Sequence, residues 1–181
     1  MRLIEIGLVV LIQLFIIAVL FFLTIGIYFS LYQVPYVKTS RKISKLMLKL
    51  GELKAGERVI DFGSGDGSLV IDAARDFKAF GVGIEGQWYL VQWARLRARL
   101  LKQGDRVKFV HDNFFKIKPP PADLIVCYLF PGVNLELEPI LLRNYPSGTR
   151  VVSRVFKFPN FNLIKTIKAP NGDSLHYYHI P

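Results

Sequence analysis

Two hydrophobic patterns divide the chain. From Ile6 to Phe29 the residues are apolar without a charged side chain, and only Gln13 and Thr24 are clearly polar. A helix of that length spans roughly 36 Å at about 1.5 Å per residue, enough to cross a bilayer. No small-residue cleavage site follows Phe29 and the start is not basic, so the run reads as a permanent anchor and not as a removed leader. After Gly51 short apolar runs alternate with longer amphipathic ones, the pattern of β-α units that build a parallel sheet. Strands are expected near 57–62, 80–85, 106–111, 123–128 and 149–154, with helices over 67–76, 87–102 and 133–144. Two more strand-like stretches, Phe161 to Ile167 and Leu175 to Ile180, flank the turn Pro170-Asn171-Gly172-Asp173 and predict a closing antiparallel hairpin. The expected divisions are an anchor over 1–33, a basic juxtamembrane segment and helix over 34–56, and an α/β domain over 57–181.

Between anchor and domain the polar positions carry charge of one sign. Lys38, Arg41, Lys42, Lys45 and Lys49 precede the next acid, Glu52, whereas Arg2 is the one basic side chain ahead of the anchor. The positive-inside bias then predicts a single-pass chain with its N-terminus outside and the domain in the cytoplasm. Ser40 is placed to cap a helix to about Leu50, with Ile43, Leu46, Met47 and Leu50 on one face and the cations on another. Such a helix can lie on anionic headgroups or pack on the domain, and the pattern leaves both open. Tyr28, Tyr32 and Tyr36 recur every four residues, the spacing of an interfacial anchoring stripe or of a landing strip for a membrane substrate.

The whole-chain charge of +10, from 24 Lys and Arg against 14 Asp and Glu, suits anionic partners, lipid or nucleic acid. The lone Cys127 excludes an internal disulfide and is expected to be a small buried residue. His176 and His179 stand three apart on a predicted strand and face opposite ways, and His111 reads as structural, so no metal is expected.

Candidate chemistry begins where Val59-Ile60-Asp61-Phe62 runs into Gly63-Ser64-Gly65-Asp66-Gly67 and a helix follows. Glycines at a strand-to-helix corner let backbone approach a ligand closely, at the sheet edge where open α/β folds bind cofactors. A dinucleotide fingerprint needs glycine where Ser68 stands. Asp61 ahead of the loop also suits a sulfonium and an amino-acid ammonium better than a pyrophosphate. The cofactor so indicated is S-adenosylmethionine. Glu85 ends the next strand, about 20 residues on, where a carboxylate can accept from both ribose hydroxyls. Asp112 and Asn113 end the following strand, where a carboxylate or amide can meet the adenine amino group.

Taken together these residues resemble the small membrane-anchored class I protein-lysine methyltransferases that include the mitochondrial enzymes acting on the c-ring protein of ATP synthase and the adenine nucleotide translocase. The resemblance runs from about Val34 to the end. It rests on Val34-Pro35-Tyr36-Val37 with Thr39, Asp61 to Gly67, Gly83-Ile84-Glu85 with Trp88, Arg95, Asp112, Leu129-Phe130-Pro131, and Gly148-Thr149-Arg150-Val151-Val152-Ser153 with Phe156 and Pro159. It implies a Rossmann-like class I methyltransferase fold, with a mostly parallel seven-stranded sheet, a C-terminal antiparallel hairpin and one N-terminal transmembrane helix. It also implies S-adenosylmethionine as cofactor and lysines of small membrane proteins as substrates. A lysine is then expected to reach the sulfonium past Pro35, Tyr36 and Thr39. Departures from the family pattern fall at Lys38, Ser68 and Gly86-Gln87.

Methyl transfer needs alignment of donor and acceptor and no covalent nucleophile, and an amine acceptor must be neutral. The strand ending Tyr128-Leu129-Phe130-Pro131 is expected to wall the acceptor side, with Leu129 and Pro131 facing substrate and Tyr128 as the candidate for orienting the amine. It lacks the Asn/Asp-Pro-Pro-Tyr sequence of amide and base methylation. Two alternatives compete. An RNA methyltransferase fits the charge and the cations Arg95, Arg97, Arg99 and Lys102 on one helix, although an anchor makes nucleic acid an odd partner. A non-catalytic protein that keeps the cofactor fold is the other.

Overall fold

The computed structural model describes residues 2–31 and 36–181, with side chains described over 6–25 and 36–181, so Val34 and the expected substrate-side Pro35 lie outside the described residues. The chain forms two compact units, Met1–Pro35 and Tyr36–Pro181. In the first, helix α1 (Arg2–Leu31) carries the apolar stretch Ile6–Ile25, long and apolar enough to cross a membrane and with none of its residues buried.

The second unit contains α2 (Arg41–Leu50), β1 (Arg58–Phe62), α3 (Ser68–Phe77), β2 (Phe80–Glu85), α4 (Trp88–Leu100), β3 (Val107–His111), β4 (Leu124–Cys127), α5 (Pro131–Asn144), β5 (Arg150–Arg154), β6 (Leu163–Lys168) and β7 (Ser174–His179). The strands form one seven-stranded sheet in the order β3-β2-β1-β4-β5-β7-β6. The first five run parallel, and β7 inserts antiparallel between β5 and β6. This is the Rossmann-like class I methyltransferase arrangement. Its chain order reverses beside β1, so the crevice for a ligand opens at the C-terminal ends of β1 and its neighbours. Register brings those ends level: Asp61 lies beside Gly83 and Val126, Phe62 beside Cys127, and Glu85 beside His111.

Strand burial explains why the periodicity is readable in the sequence. The β1 residues Val59 to Phe62 and all of β4 are buried, as expected of strands covered on both faces, whereas β6 is exposed on nearly every residue at the sheet edge. Val59, Leu124, Val126, Val152 and Leu175 pack under α2 and α3. Val70, Ile71, Val91, Ala94, Ala98 and Phe109 join α3 to α4. On the other face lies α5, whose Asn134 carboxamide oxygen is 4.0 Å from the buried Cys127 Sγ. Burial pushes that thiol up to about 12, so it stays protonated and serves as core.

Helix α2 resolves the choice left open by the pattern: it packs on the domain. Ser40 occupies its N-cap position without a side-chain bond, and Gly51 ends it. The buried residues are Ile43, Ser44, Met47 and Leu48, while Leu46 and Leu50, expected on the inner face, are only partly buried. Two of its cations face α3, where Arg41 and Lys45 reach Asp76 at 3.0 and 3.1 Å. These pairs hold the Asp76 carboxyl below its usual range. Met47 is 1% exposed, so Met47→Ala is expected to lower the unfolding free energy by about 2–5 kcal/mol. Urea unfolding of the detergent-solubilised chain measures it, and a helix resting on lipid alone would show no such loss.

Candidate active site

The corner after β1 is shaped by what its glycines leave out. Gly65 has φ +53°, and a Cβ there would sit 2.6 Å from the Tyr36 ring, so the ring lies directly on the loop. At Gly83 a Cβ would come within 2.5 Å of the Ser64 hydroxyl, which is buried and has no hydrogen-bond partner among the described residues. Leu129 closes the loop from the β4 side, its Cδ2 being 3.0 Å from where a Cβ of Gly63 would stand.

Charge in this corner is negative. Asp61, Asp66 and Glu85 are all buried. Burial first, then the Glu85 and Asp66 carboxylates, push the Asp61 carboxyl well above its usual range. Glu85 is already oriented: its Oε2 accepts from the Gly65 N–H at 2.8 Å and its Oε1 from the Gln87 N–H at 2.9 Å. Each oxygen keeps a lone pair for a further donor. Such a corner fits a ligand that brings positive charge and hydroxyls together, as a sulfonium with an ammonium and a ribose does. The Ser64 hydroxyl, without a partner among the described residues, and the Asp61 carboxyl, raised by burial and two carboxylate neighbours, are consistent with that fit.

Arg97, one of the helix cations that suit the RNA alternative, braces the loop. Its Nη1 lies 2.6 Å from the Asp66 carboxylate and donates to the Asp66 carbonyl at 2.7 Å and to Ser68 Oγ at 3.0 Å. Ser68 in turn donates its hydroxyl to Asp66 Oδ1 at 2.6 Å, so the departure at this position is absorbed into the clamp. Tyr36 also bonds Asp66, and burial with that carboxylate raises its hydroxyl to about 12, keeping it a donor at neutral pH.

At the end of β3, Asp112 and Asn113 are exposed and organise the turn. Asp112 donates its N–H to the Glu85 carbonyl at 3.1 Å, and its Oδ1 accepts from Asn113 N–H at 2.7 Å. The ring of His111 is tied to the Gly86 carbonyl at 3.1 Å.

Beyond Cys127 the chain turns aromatic. Tyr128 stacks on Phe156 with centroids 6.4 Å apart, and Phe130 approaches the same ring at 5.6 Å. Leu129 is buried with its side chain against the glycine loop, while Phe130 and Pro131 are exposed. Arg154, a residue that the sequence pattern does not single out, links the parts of this wall. Its guanidinium lies 4.2 Å over the Tyr128 ring, donates to Thr39 Oγ1 at 3.0 Å and pairs with Asp173 at 2.6 Å. Val155 next to it holds φ +67°, a strained value for a β-branched residue. The Val155 carbonyl accepts from His176 Nε2 at 3.1 Å, which leaves Nδ1 to accept from Thr166 Oγ1 at 2.9 Å. Burial lowers the His176 pKa, so the ring is neutral and structural. His179 bonds Tyr177, two strand positions away. Among the described residues no group of three or more His, Cys, Asp or Glu gathers to hold a metal.

Fold, glycine corner and carboxylate-tipped strands together define a class I S-adenosylmethionine-dependent methyltransferase. The profile of the ANTKMT methyltransferase domain matches residues 61–165, and the chain belongs to that family. A protein-lysine N-methyltransferase of Saccharolobus islandicus is 34% identical over 155 residues, covering 81% of this chain and 92% of that protein. The adenine nucleotide translocase lysine N-methyltransferase of Mus musculus is 30% identical over 75% of this chain, which spans only 58% of that longer protein. A crystal structure described as an RNA methyltransferase from Salinibacter ruber, in complex with S-adenosyl-L-homocysteine, superposes with a TM-score of 0.77. It is 36% identical over 80% of this chain and 94% of that one.

The Asp61 environment yields a stability prediction with a definite sign. A carboxyl whose pKa is higher in the folded than in the unfolded chain costs stability as pH rises above its unfolded value of about 4, and the full cost is present above the folded value. Asp61→Asn is therefore expected to raise the melting temperature of the cofactor-free protein at neutral pH, by roughly 2–4 °C for each kcal/mol recovered. The difference from wild type should vanish toward pH 4, roughly the unfolded carboxyl value. Calorimetric scans across that range check both.

Proposed function

We propose that the chain methylates a lysine side chain of a small membrane protein, at the cytoplasmic face of the membrane in which α1 is anchored. The observation that carries this reading is the 34% identity to a protein-lysine N-methyltransferase across 92% of that protein. The mouse relative, whose name gives a translocase as its substrate, supports a membrane acceptor. The Lys and Arg excess from Lys38 to Lys49, against Arg2 ahead of α1, supports the cytoplasmic orientation.

In this reading Asp61, Gly63, Ser64, Gly65, Asp66 and Gly67 form the seat for the amino-acid and sulfonium end of the cofactor, Glu85 accepts from the ribose, and Asp112 with Asn113 flanks the base. When bound, S-adenosylmethionine supplies a methyl group on a positively charged sulfur. The chain's own part is to align and to dry. Tyr36 covers the loop, Thr39 is pinned by Arg154, and Phe130 with Phe156 offers apolar aromatic surface that accommodates an alkyl chain. Their apolar surroundings lower the pKa of a lysine ammonium and favour the neutral amine. Tyr128, stacked on Phe156 with the Arg154 guanidinium over its ring, keeps its hydroxyl for orienting that amine.

A second reading, methylation of RNA, is favoured by the description of the Salinibacter ruber structure and by the net charge of +10. Full-length enzyme is incubated with its own membranes, total RNA and cofactor labelled in the methyl group. Label that protease removes and that hydrolyses to methyl-lysine supports the lysine reading; label removed by ribonuclease replaces it with the second.

Two substitutions separate the roles. Gly65→Arg places a side chain where Tyr36 lies and is expected to abolish cofactor binding in calorimetry while the protein remains in the membrane fraction. Tyr128→Phe keeps the ring and is expected to lower kcat about tenfold or more, by loss of one hydrogen bond to the acceptor, with cofactor affinity unchanged.

A further inference from the structure

Helix α4 buries Leu90, Val91, Ala94 and Ala98 against the domain. Its opposite face is not polar. Tyr89, Trp93, Leu96 and Leu100 follow the spacing i, i+4, i+7, i+11, which at 3.6 residues per turn sets them in one line on the outside. They are 45%, 50%, 46% and 70% exposed, and Trp88 beside them is 61% exposed. A contiguous stripe of this size on a helix's outer face marks an interaction surface, since scattered single residues and not aligned ones are the normal background.

We propose that this stripe docks the domain on the bilayer surface, with α4 lying in the headgroup region. Three observations select lipid as the occupant. First, the residues are those of an interface: two tryptophans and a tyrosine followed by two exposed leucines. Second, α4 contains no acid, and although Arg95 is turned in to the Phe109 carbonyl at 2.7 Å, Arg99 and Lys102 are exposed and form no ion pair among the described residues. The charge of Arg99 and Lys102 is left for anionic headgroups, each reaching outward along its own apolar stem. Third, Tyr36, the first residue of the second unit, bonds Asp66, and the same carboxylate binds Arg97 of α4. The domain therefore begins, at its N-terminal residue, next to this helix. The proposal rests on the membrane-anchored reading of α1.

The test uses a property of the sequence: its two tryptophans, Trp88 and Trp93, are both on α4, so tryptophan emission reports on this helix alone. The full chain is reconstituted into vesicles of phosphatidylcholine and phosphatidylglycerol, with acyl chains brominated near the headgroup end or unbrominated. Flotation is measured on the same samples. The expected result is flotation with the vesicles, blue-shifted emission, loss of most of that emission in brominated lipid, and protection from aqueous iodide. Leu96→Glu with Leu100→Glu, both on the outer face, is expected to restore iodide quenching and abolish bromine quenching while flotation and cofactor affinity stay as in wild type. Flotation without bromine quenching in the wild type overturns the docking proposal and leaves the anchor standing. Failure to float overturns the anchored reading and this proposal with it. Protection from both quenchers that grows with protein concentration assigns the stripe to a second copy of the chain and also overturns the proposal.

Discussion

Three carboxylates share one glycine-lined corner, and the rest of the domain is arranged around keeping them there. Asp61, Asp66 and Glu85 are buried, and like charges in low dielectric repel strongly. Two are compensated by the protein itself. Asp66 has the Arg97 guanidinium and the Tyr36 hydroxyl, while Glu85 has two backbone N–H groups. The surroundings of Asp61 raise its pKa, by burial first and then by its two neighbours. A cationic ligand at this point therefore relieves a cost the folded chain already carries.

That constraint explains the secondary structure nearby. A side chain at Gly83 would strike Ser64, and one at Gly65 would strike the Tyr36 ring. The strand and loop can approach so closely only because both positions lack a Cβ. Arg97 reaches the loop because α4 buries Ala94 and Ala98, small residues that bring the helix near enough to α3 for one guanidinium to meet Asp66 and Ser68.

The strands and the hairpin are legible in the sequence because period-2 and continuous apolar runs follow directly from burial on one or both faces of a sheet. The glycine corner is legible because its residues are contiguous. What escapes the pattern is long-range. Arg97 meets Asp66 across 31 positions and Arg154 meets Thr39 across 115, and no local spacing announces either. Helix α2 shows a subtler limit: its periodicity puts Leu46 and Leu50 on the inner face, but its pairs with Asp76 accompany a face on which Leu48 is buried and those two are half-covered. The outer apolar stripe of α4 is hidden for a related reason. Apolar residues on both sides of a helix blur the amphipathic period, and only the packed structure tells which side is covered.

Asp66 connects these levels. It bonds Tyr36, where the second unit begins, Arg97 on the helix with the exposed stripe, and Ser68 at the start of α3. A single buried carboxylate thus joins the first residue of the domain, the loop and α4. A neutral residue of the same size at this position would leave a guanidinium partly buried without its counter-charge, and removing one partner of such a pair costs more than the pair itself contributes. The loop geometry on which Gly65 and Glu85 depend would relax with it. The position of the tyrosine that covers the glycine corner, and of the helix that carries both tryptophans, is therefore set by the same charge.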